Sequence, residues 1–88
     1  MLDSFSGAVA AEVRARRAGL GLTQQELADM AGVSERFVRF VEQGKPSVQL
    51  DSLTAILETL GLELRLSTRT SQAAHALTGQ TGEQEAPR

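Results

Sequence analysis

The side chains best suited to chemistry lie in the stretch SERFVRFVEQGK, residues 34–45. On a helix that begins near Glu35, one exposed face carries Glu35, Arg36, Arg39 and Phe40. Carboxylate, guanidinium and aromatic groups on such a face suit the polar edges met in a DNA groove. The alternative is a polar face that is merely solvated, so the surrounding elements must distinguish the two interpretations.

A second short helix is predicted just before this one. Thr23 followed by Glu26 forms a capping box, which predicts a helix from about Gln24 to Ala31. Its apolar residues at helical spacing, Leu27, Ala28 and Ala31, predict one buried face.

A tight turn joins the two helices. Gly32 ends the first helix, Val33 fills the corner, and Ser34 caps a helix that runs to about Gln43 and stops at Gly44. Val38 and Val41 face inward, with Phe37 at the boundary. The pattern indicates a helix-turn-helix, whose second helix enters the major groove by its N-terminal residues. A plain helical hairpin is the alternative.

Two further helices complete the predicted bundle. The first runs from Ser6 to about Ala18 and is broken at residues 19–21. The last runs from about Leu50 to Leu60, and an extra helical turn in loop 45–49 would make a fifth helix. Its predicted buried stripe consists of Leu50, Leu53, Ile56, Leu57 and Leu60.

Residues 62–67 alternate apolar Leu62, Leu64 and Leu66 with polar side chains, which is the period of a half-buried strand. A single strand cannot satisfy its own backbone groups. We therefore predict that it pairs with the same strand of a second subunit across a two-fold axis. The alternative is an extended tail that covers the domain.

Residues 1–5 are predicted as a flexible lead, 6–67 as one domain, and 68–88 as a flexible tail in which His75 is solvated.

Composition excludes several classes of function. The 88 residues allow one small domain, and the absence of cysteine rules out disulfides and thiolate metal sites. With one histidine, no phosphate-binding glycine loop and no clustered carboxylates, we expect neither an enzyme nor a cofactor. No membrane span or signal peptide is visible, so the chain is predicted to be cytoplasmic.

The net charge of −2 argues mildly against nucleic acid, but six of the nine basic residues lie before residue 46. Three of them, Arg14, Arg16 and Arg17, form a cluster with two interpretations. They could lie on a solvated helix face with ion pairs to Glu12, or contact phosphate at the groove edge, with Arg17 or Arg14 favoured.

The segment GLTQQELADMAGVSERFVRFVEQGK, followed by a leucine-rich helix ending in LG, resembles the Xre/Cro-repressor helix-turn-helix family over residues 8–61. The added GLELRLS strand is most similar to HipB-type antitoxins. The resemblance implies an all-α, lambda-repressor-like bundle of about five helices.

The resemblance also implies how DNA would be contacted. Positions that match base-reading residues are Ser34, Glu35, Arg36, Arg39 and Phe40. Arg36 or Arg39 suits guanine, Glu35 a cytosine amino group, and Phe40 a thymine methyl group. Because many relatives carry Gln or Asn at positions 35 and 40, their sequence preference does not transfer. Phosphate contacts are predicted at Arg14, Arg17, Thr23, Gln24, Gln25, Lys45, Ser47 and Gln49, with Gln24 also bracing the recognition helix.

The implied mechanism is a homodimer that binds a palindromic double-stranded operator and represses its own promoter. In a HipAB-like toxin–antitoxin operon, it would also hold a HipA-like kinase toxin inactive. Two alternatives remain: a stand-alone Xre-type transcription regulator, and a protein-interaction module that has lost DNA binding.

Overall fold

The computed structural model describes residues 4–68 and 72–78. Four helices occupy the first range: α1 (Ser4–Gly19), α2 (Gln24–Ala31), α3 (Glu35–Glu42) and α4 (Leu50–Leu60). α2 packs against α3 and α4, and α1 packs against the same two helices. The all-α prediction is confirmed for these residues. None of the helices in the described ranges is long and apolar enough to cross a membrane.

The number of helices in the bundle differs from the prediction. Loop 45–49 contains no helical turn, so residues 4–68 hold four helices rather than five. Pro46 prevents Lys45 from continuing the helical path of α3, because the residue before a proline disfavours helical geometry.

A short helix, α5 (Gln72–Thr78), lies within the segment predicted as a flexible tail. The rest of that tail beyond Thr68, residues 69–71 and 79–88, is outside the described residues, as are the lead residues 1–3. The side chain of His75, predicted to be solvated, is outside the described part of the chain as well.

The core lies where the four helices meet. Its buried side chains are Ala10, Val13, Leu27, Ala28, Val38, Val41, Leu53, Ile56, Leu57 and Leu60. The prediction for Leu50 is wrong, because its side chain is 66% exposed. Leu50 has the helical spacing of the stripe, but it is the first residue of α4 and borders an open hollow with Thr54 and Glu58.

Local signals set the helix ends as predicted. Thr23 Oγ1 accepts a hydrogen bond from the Glu26 backbone N–H, and the Glu26 carboxylate accepts one from the Thr23 N–H. Gly32 ends α2 with φ of 75°, a left-handed conformation that favours glycine. α1 begins at Ser4 rather than Ser6, so part of the predicted lead is helical.

Residues 62–68 follow α4 without regular secondary structure, and they form no strand ladder within the described residues. Leu62 is half-buried and packs against the core, whereas Leu64 and Leu66 are 43% and 102% exposed. The predicted pairing with a second subunit needs a partner chain and stays a prediction.

Candidate nucleic-acid interface

The helix-turn-helix is built by α2, the turn at residues 32–34, and α3. The Gly32 and Val33 N–H groups both donate to the Ala28 carbonyl, which closes α2 and turns the chain sharply. Val33 packs against the core, and Ser34 Oγ then accepts from the Phe37 N–H at 3.0 Å to begin α3. These contacts fix the direction in which α3 leaves the turn.

The outward face of α3 brings together the predicted base-contacting residues. Arg36, Arg39 and Phe40 are exposed, and Glu35 is partly so. Arg39 Nη1 lies 3.3 Å from Glu35 Oε2, one helical turn away. The Arg36 guanidinium lies 5.2 Å from the centre of the Phe40 ring. Carboxylates, imidazoles and thiols in the described ranges form no group of three or more that could hold a metal ion.

Several predicted phosphate contacts lie at the start of α2 and in the loop after α3, and they are exposed. Thr23 and Gln25 lie at the start of α2, where the Gln25 Nε2 donates to Asp29 Oδ1 at 2.8 Å. Lys45, Ser47 and Gln49 lie in the loop that connects α3 to α4. Gln49 occupies the N-cap position of α4, and its side chain makes no capping hydrogen bond there.

Arg17 has a different position from the one predicted, because its guanidinium is bound inside the fold. Its Nε donates to Glu42 Oε2 at 2.6 Å, its Nη2 to Glu42 Oε1 at 3.0 Å, and its Nη1 to the Leu22 carbonyl at 2.9 Å. The side chains of Arg17 and Glu42 are only 20% and 4% exposed. We therefore correct the phosphate assignment of Arg17 to a structural role that joins α1 to α3.

Gln24 completes this buried group by donating from Nε2 to Glu42 Oε1 at 3.0 Å. Gln24 therefore contacts α3 from α2, whereas the roles predicted for Gln24 in DNA binding, a phosphate contact and the bracing of a recognition helix, stay predictions. One carboxylate on α3 thus receives donors from both α1 and α2.

The charge state of Glu42 follows from its neighbours. Burial by itself would raise the pKa of its carboxyl group. The hydrogen bonds from Arg17 and Gln24 and the positive charges of Arg17 and Arg14 outweigh that effect and hold the pKa below its ordinary value. The hydrogen bond to Glu42 likewise raises the pKa of Arg17 despite the cost of burial. Glu42 and Arg17 are therefore ionised in the folded protein at neutral pH.

Arg14 and Arg16 each donate a hydrogen bond to a carbonyl at the C-terminal end of another helix. Neither interpretation of the arginine cluster predicted these contacts. Arg14 Nη1 donates to the Glu42 carbonyl at 2.6 Å, and Arg16 Nε donates to the Leu60 carbonyl at 2.7 Å. The last carbonyls of a helix lack intrahelical donors and carry partial negative charge, so a cation there is stabilising. α1 thereby fastens the C-terminal ends of α3 and α4.

Sequence reasoning did not single out Glu42, although the sequence carried a signal. Glu42 is four residues after Val38 and follows Val41, so helical spacing places it on the inward face of α3. A carboxylate at an inward position requires ionic or hydrogen-bonding partners. That requirement could have directed attention to Arg17.

These features define the class of the protein, a helical bundle in which α2 and α3 form a helix-turn-helix. The inward face of α3 is bonded to α1 and α2 through Glu42, and its outward face carries basic and aromatic side chains. The chain belongs to the helix-turn-helix family, whose model matches residues 13–66. It is also similar to y4mF, an uncharacterized HTH-type transcriptional regulator of Sinorhizobium fredii (strain NBRC 101917 / NGR234). The two chains are 41% identical over 56 residues, which cover 64% of this chain and 74% of the relative.

Proposed function

We propose that this protein is a sequence-specific DNA-binding transcriptional regulator that inserts α3 into the major groove. The observation that carries the proposal is the arrangement of α3, whose inner carboxylate Glu42 is tied to α1 and α2 while Arg36, Arg39 and Phe40 face outward. A helix held rigidly from behind can present side chains to base edges at a fixed depth. The name of the similar Sinorhizobium fredii protein, a transcriptional regulator, supports the same function.

Among the outward residues, Arg36 is the best placed to read a base. Its guanidinium lies over a neutral ring and keeps its full charge and donor fork for guanine O6 and N7. The Arg39 guanidinium forms an ion pair with the Glu35 carboxylate at 3.3 Å, so it must turn away from that carboxylate to reach a base. Glu35 itself can accept from a cytosine amino group, and Ser34 stands at the N-terminal entry of the helix.

The flanking residues would hold the phosphate backbone. Lys45 supplies charge beside α3, and Ser47 and Gln49 lie close to the N-terminus of α4 in sequence. The Gln49 side chain does not cap α4, but the Ser52 N–H donates to Asp51 Oδ1 at 2.8 Å. A phosphate oxygen at this helix end would therefore bind the Leu50 and Asp51 N–H groups. Thr23 and Gln25 would offer a second contact at the start of α2, and Arg14 a third from α1.

The acidic net charge does not by itself exclude this function. Four acidic residues lie on α2 and α3, but Glu35 and Glu42 are each paired with an arginine, and Glu12, Glu58 and Glu63 lie elsewhere, at the hollows beside α4. Phosphate binding responds to the local field within about 10 Å at 0.1 M salt rather than to the total charge. We therefore expect Arg36 and Lys45, together with Arg39 when it leaves Glu35, to govern the encounter with DNA.

We further propose that the protein acts as a homodimeric repressor. This is supported by the alternating sequence of residues 62–67 and by the exposure of Leu64 and Leu66, apolar side chains that a second copy could cover. A two-fold dimer would present two α3 helices to successive major grooves of a palindromic operator, about 34 Å apart. Occupation of its own promoter would then block transcription.

An antitoxin role in a HipAB-like operon is the more specific form of this proposal. It is supported by the HipB-like sequence of segment 62–67, and it requires a HipA-like kinase encoded next to this chain. A stand-alone Xre-type regulator would bind the same kind of operator without that partner. Co-expression with the neighbouring reading frame separates the two, since only an antitoxin copurifies with a kinase and suppresses its toxicity.

Selection of binding sites from a pool of random duplexes tests the proposed function. We expect enrichment of an inverted repeat whose half-sites are separated by about one helical turn. Arg36→Ala should relax the consensus at one guanine of each half-site. A pool that stays random after repeated selection would contradict the proposal and favour a protein-interaction module.

A further inference from the structure

We infer that Phe40 is a positioning residue that orients Arg36 and Lys45 toward DNA, and that it does not read a thymine methyl group. The inference rests on the proposed function, and it adds an explanation of how Arg36 and Lys45 are held in position to meet DNA. It replaces the base contact that the sequence suggested for Phe40.

The geometry places two cations on one aromatic ring. The Arg36 guanidinium carbon lies 5.2 Å from the ring centre, and the Lys45 ammonium nitrogen lies 5.8 Å from it. Both distances fall within the roughly 6 Å over which a ring face attracts a cation. Arg36 and Phe40 are four residues apart on α3, which makes them neighbours on one face of the helix. Lys45 reaches the same ring from beyond the end of α3.

A ring suits this task better than a carboxylate does. Glu35 fixes Arg39, but its negative charge offsets the cation and repels nearby phosphates. The Phe40 ring is neutral, so Arg36 and Lys45 keep their attraction for DNA while their long side chains lose freedom before binding. A preordered side chain loses less entropy when it meets its ligand. Because cations lie over the ring, less of it is available for a methyl group, although the residue is 36% exposed.

A double-mutant cycle on the selected operator tests this role. Phe40→Leu should lower discrimination at the guanine read by Arg36 by about two- to fivefold, whereas Phe40→Tyr should preserve it. In a background that already carries Arg36→Ala and Lys45→Ala, Phe40→Leu should change little. Met30→Leu is the matched control, since Met30 is an exposed apolar side chain of α2. If Phe40→Leu lowers discrimination by the same factor in the wild type and in the Arg36→Ala and Lys45→Ala background, the inference is wrong.

Removing thymine methyl groups provides the opposing test. Replacing thymine by deoxyuridine in the operator should lower the binding affinity of the wild-type protein and of the Phe40→Leu variant by the same factor. If methyl removal weakens only the wild type, Phe40 contacts a methyl group directly and the inference is wrong.

The contact can also be observed without DNA. In the free protein, ring currents should shift the Arg36 δ and Lys45 ε proton resonances upfield in the wild type and in Phe40→Tyr, and not in Phe40→Leu. Unshifted wild-type resonances would overturn the positioning role while leaving the proposed function intact. A wild-type protein with shifted resonances that selects no DNA sequence would instead overturn the proposed function, and the role of Phe40 in specificity with it.

Discussion

Individual side chains from α1 determine how α3 is held. Arg17 reaches the buried Glu42 carboxylate, and Arg14 reaches the Glu42 carbonyl. Two arginines therefore meet one residue at the end of α3, through its side chain and its backbone. Two residues that the sequence suggested as phosphate contacts thus also hold the C-terminal end of α3 in place.

The Glu42 pair makes the stability of the fold dependent on pH. Glu42→Gln should lower the free energy of unfolding by about 1.5–3 kcal/mol near neutral pH, because hydrogen bonds to a charged acceptor are replaced by neutral ones. The folded-state pKa of Glu42 is below its ordinary value. The stability from its ionisation is therefore complete above the unfolded value of about 4.3 and is lost as pH falls through the folded pKa.

Urea unfolding of the wild type and the variant across acidic pH measures this effect. The difference between them should shrink as pH decreases below about 4.3. Glu58→Gln, at an exposed position of α4, is the control and should change the unfolding free energy by less than about 0.5 kcal/mol. A Glu42 effect that stays constant through this range would show that its charge does not stabilise the fold.

Arg39 tests whether the outward face reads bases. Arg39→Ala should reduce the free energy of operator binding by about 1–3 kcal/mol if its guanidinium pairs with guanine. Binding measured in parallel on random duplexes provides the comparison. An equal loss on both DNAs would assign Arg39 to a phosphate instead of a base.

The helices show which features local sequence could predict. Thr23 with Glu26, Gly32 and Ser34 act on backbone groups within a few residues, so the ends of α2 and the start of α3 followed from the sequence. The arginine contacts did not follow, because Arg17 and Glu42 are separated by 25 residues and Arg16 and Leu60 by 44. Such contacts depend on how the helices pack. Leu50 shows the same limit, since helical spacing puts it on the inward face of α4 but does not reveal that an open hollow lies beside this first residue of the helix.

Residues 62–67, after α4, carry the predicted dimer contact. Leu64→Lys should dissociate the dimer and weaken operator binding, because it places a charge on the apolar face of the proposed strand. Ser67→Lys adds the same charge at an exposed position of opposite parity and should have little effect. Sedimentation velocity measures both. A wild type that sediments as a monomer, or a Leu64→Lys dimer as stable as the wild type, would contradict the strand pairing.

At the scale of the whole molecule, the helices form a small bundle in which α1 to α4 supply all the buried apolar side chains identified in the described residues. A core of this size leaves a modest margin of stability. The arrangement of α3 therefore depends on few contacts besides the core. They are the hydrogen bonds to Glu42, the caps of α2 and α3, and the cations over the Phe40 ring.

Deleting residues 70–88 tests whether the bundle is self-sufficient. The shortened protein should keep its operator affinity and melt within about 4 °C of the full chain, which corresponds to less than roughly 1 kcal/mol for a domain of this size. Scanning calorimetry and a binding titration measure the two properties. A much larger decrease in melting temperature would show that the C-terminal segment is part of the stable fold.

The most direct measurement is a mobility-shift titration with the DNA upstream of the coding region, carried out over a series of salt concentrations against random competitor. We predict a selective complex whose affinity falls steeply as salt increases, with Lys45→Ala reducing the logarithmic slope by about 1. Binding that is weak, insensitive to salt and equal on random DNA would contradict the central claim that α3 is a DNA-reading helix.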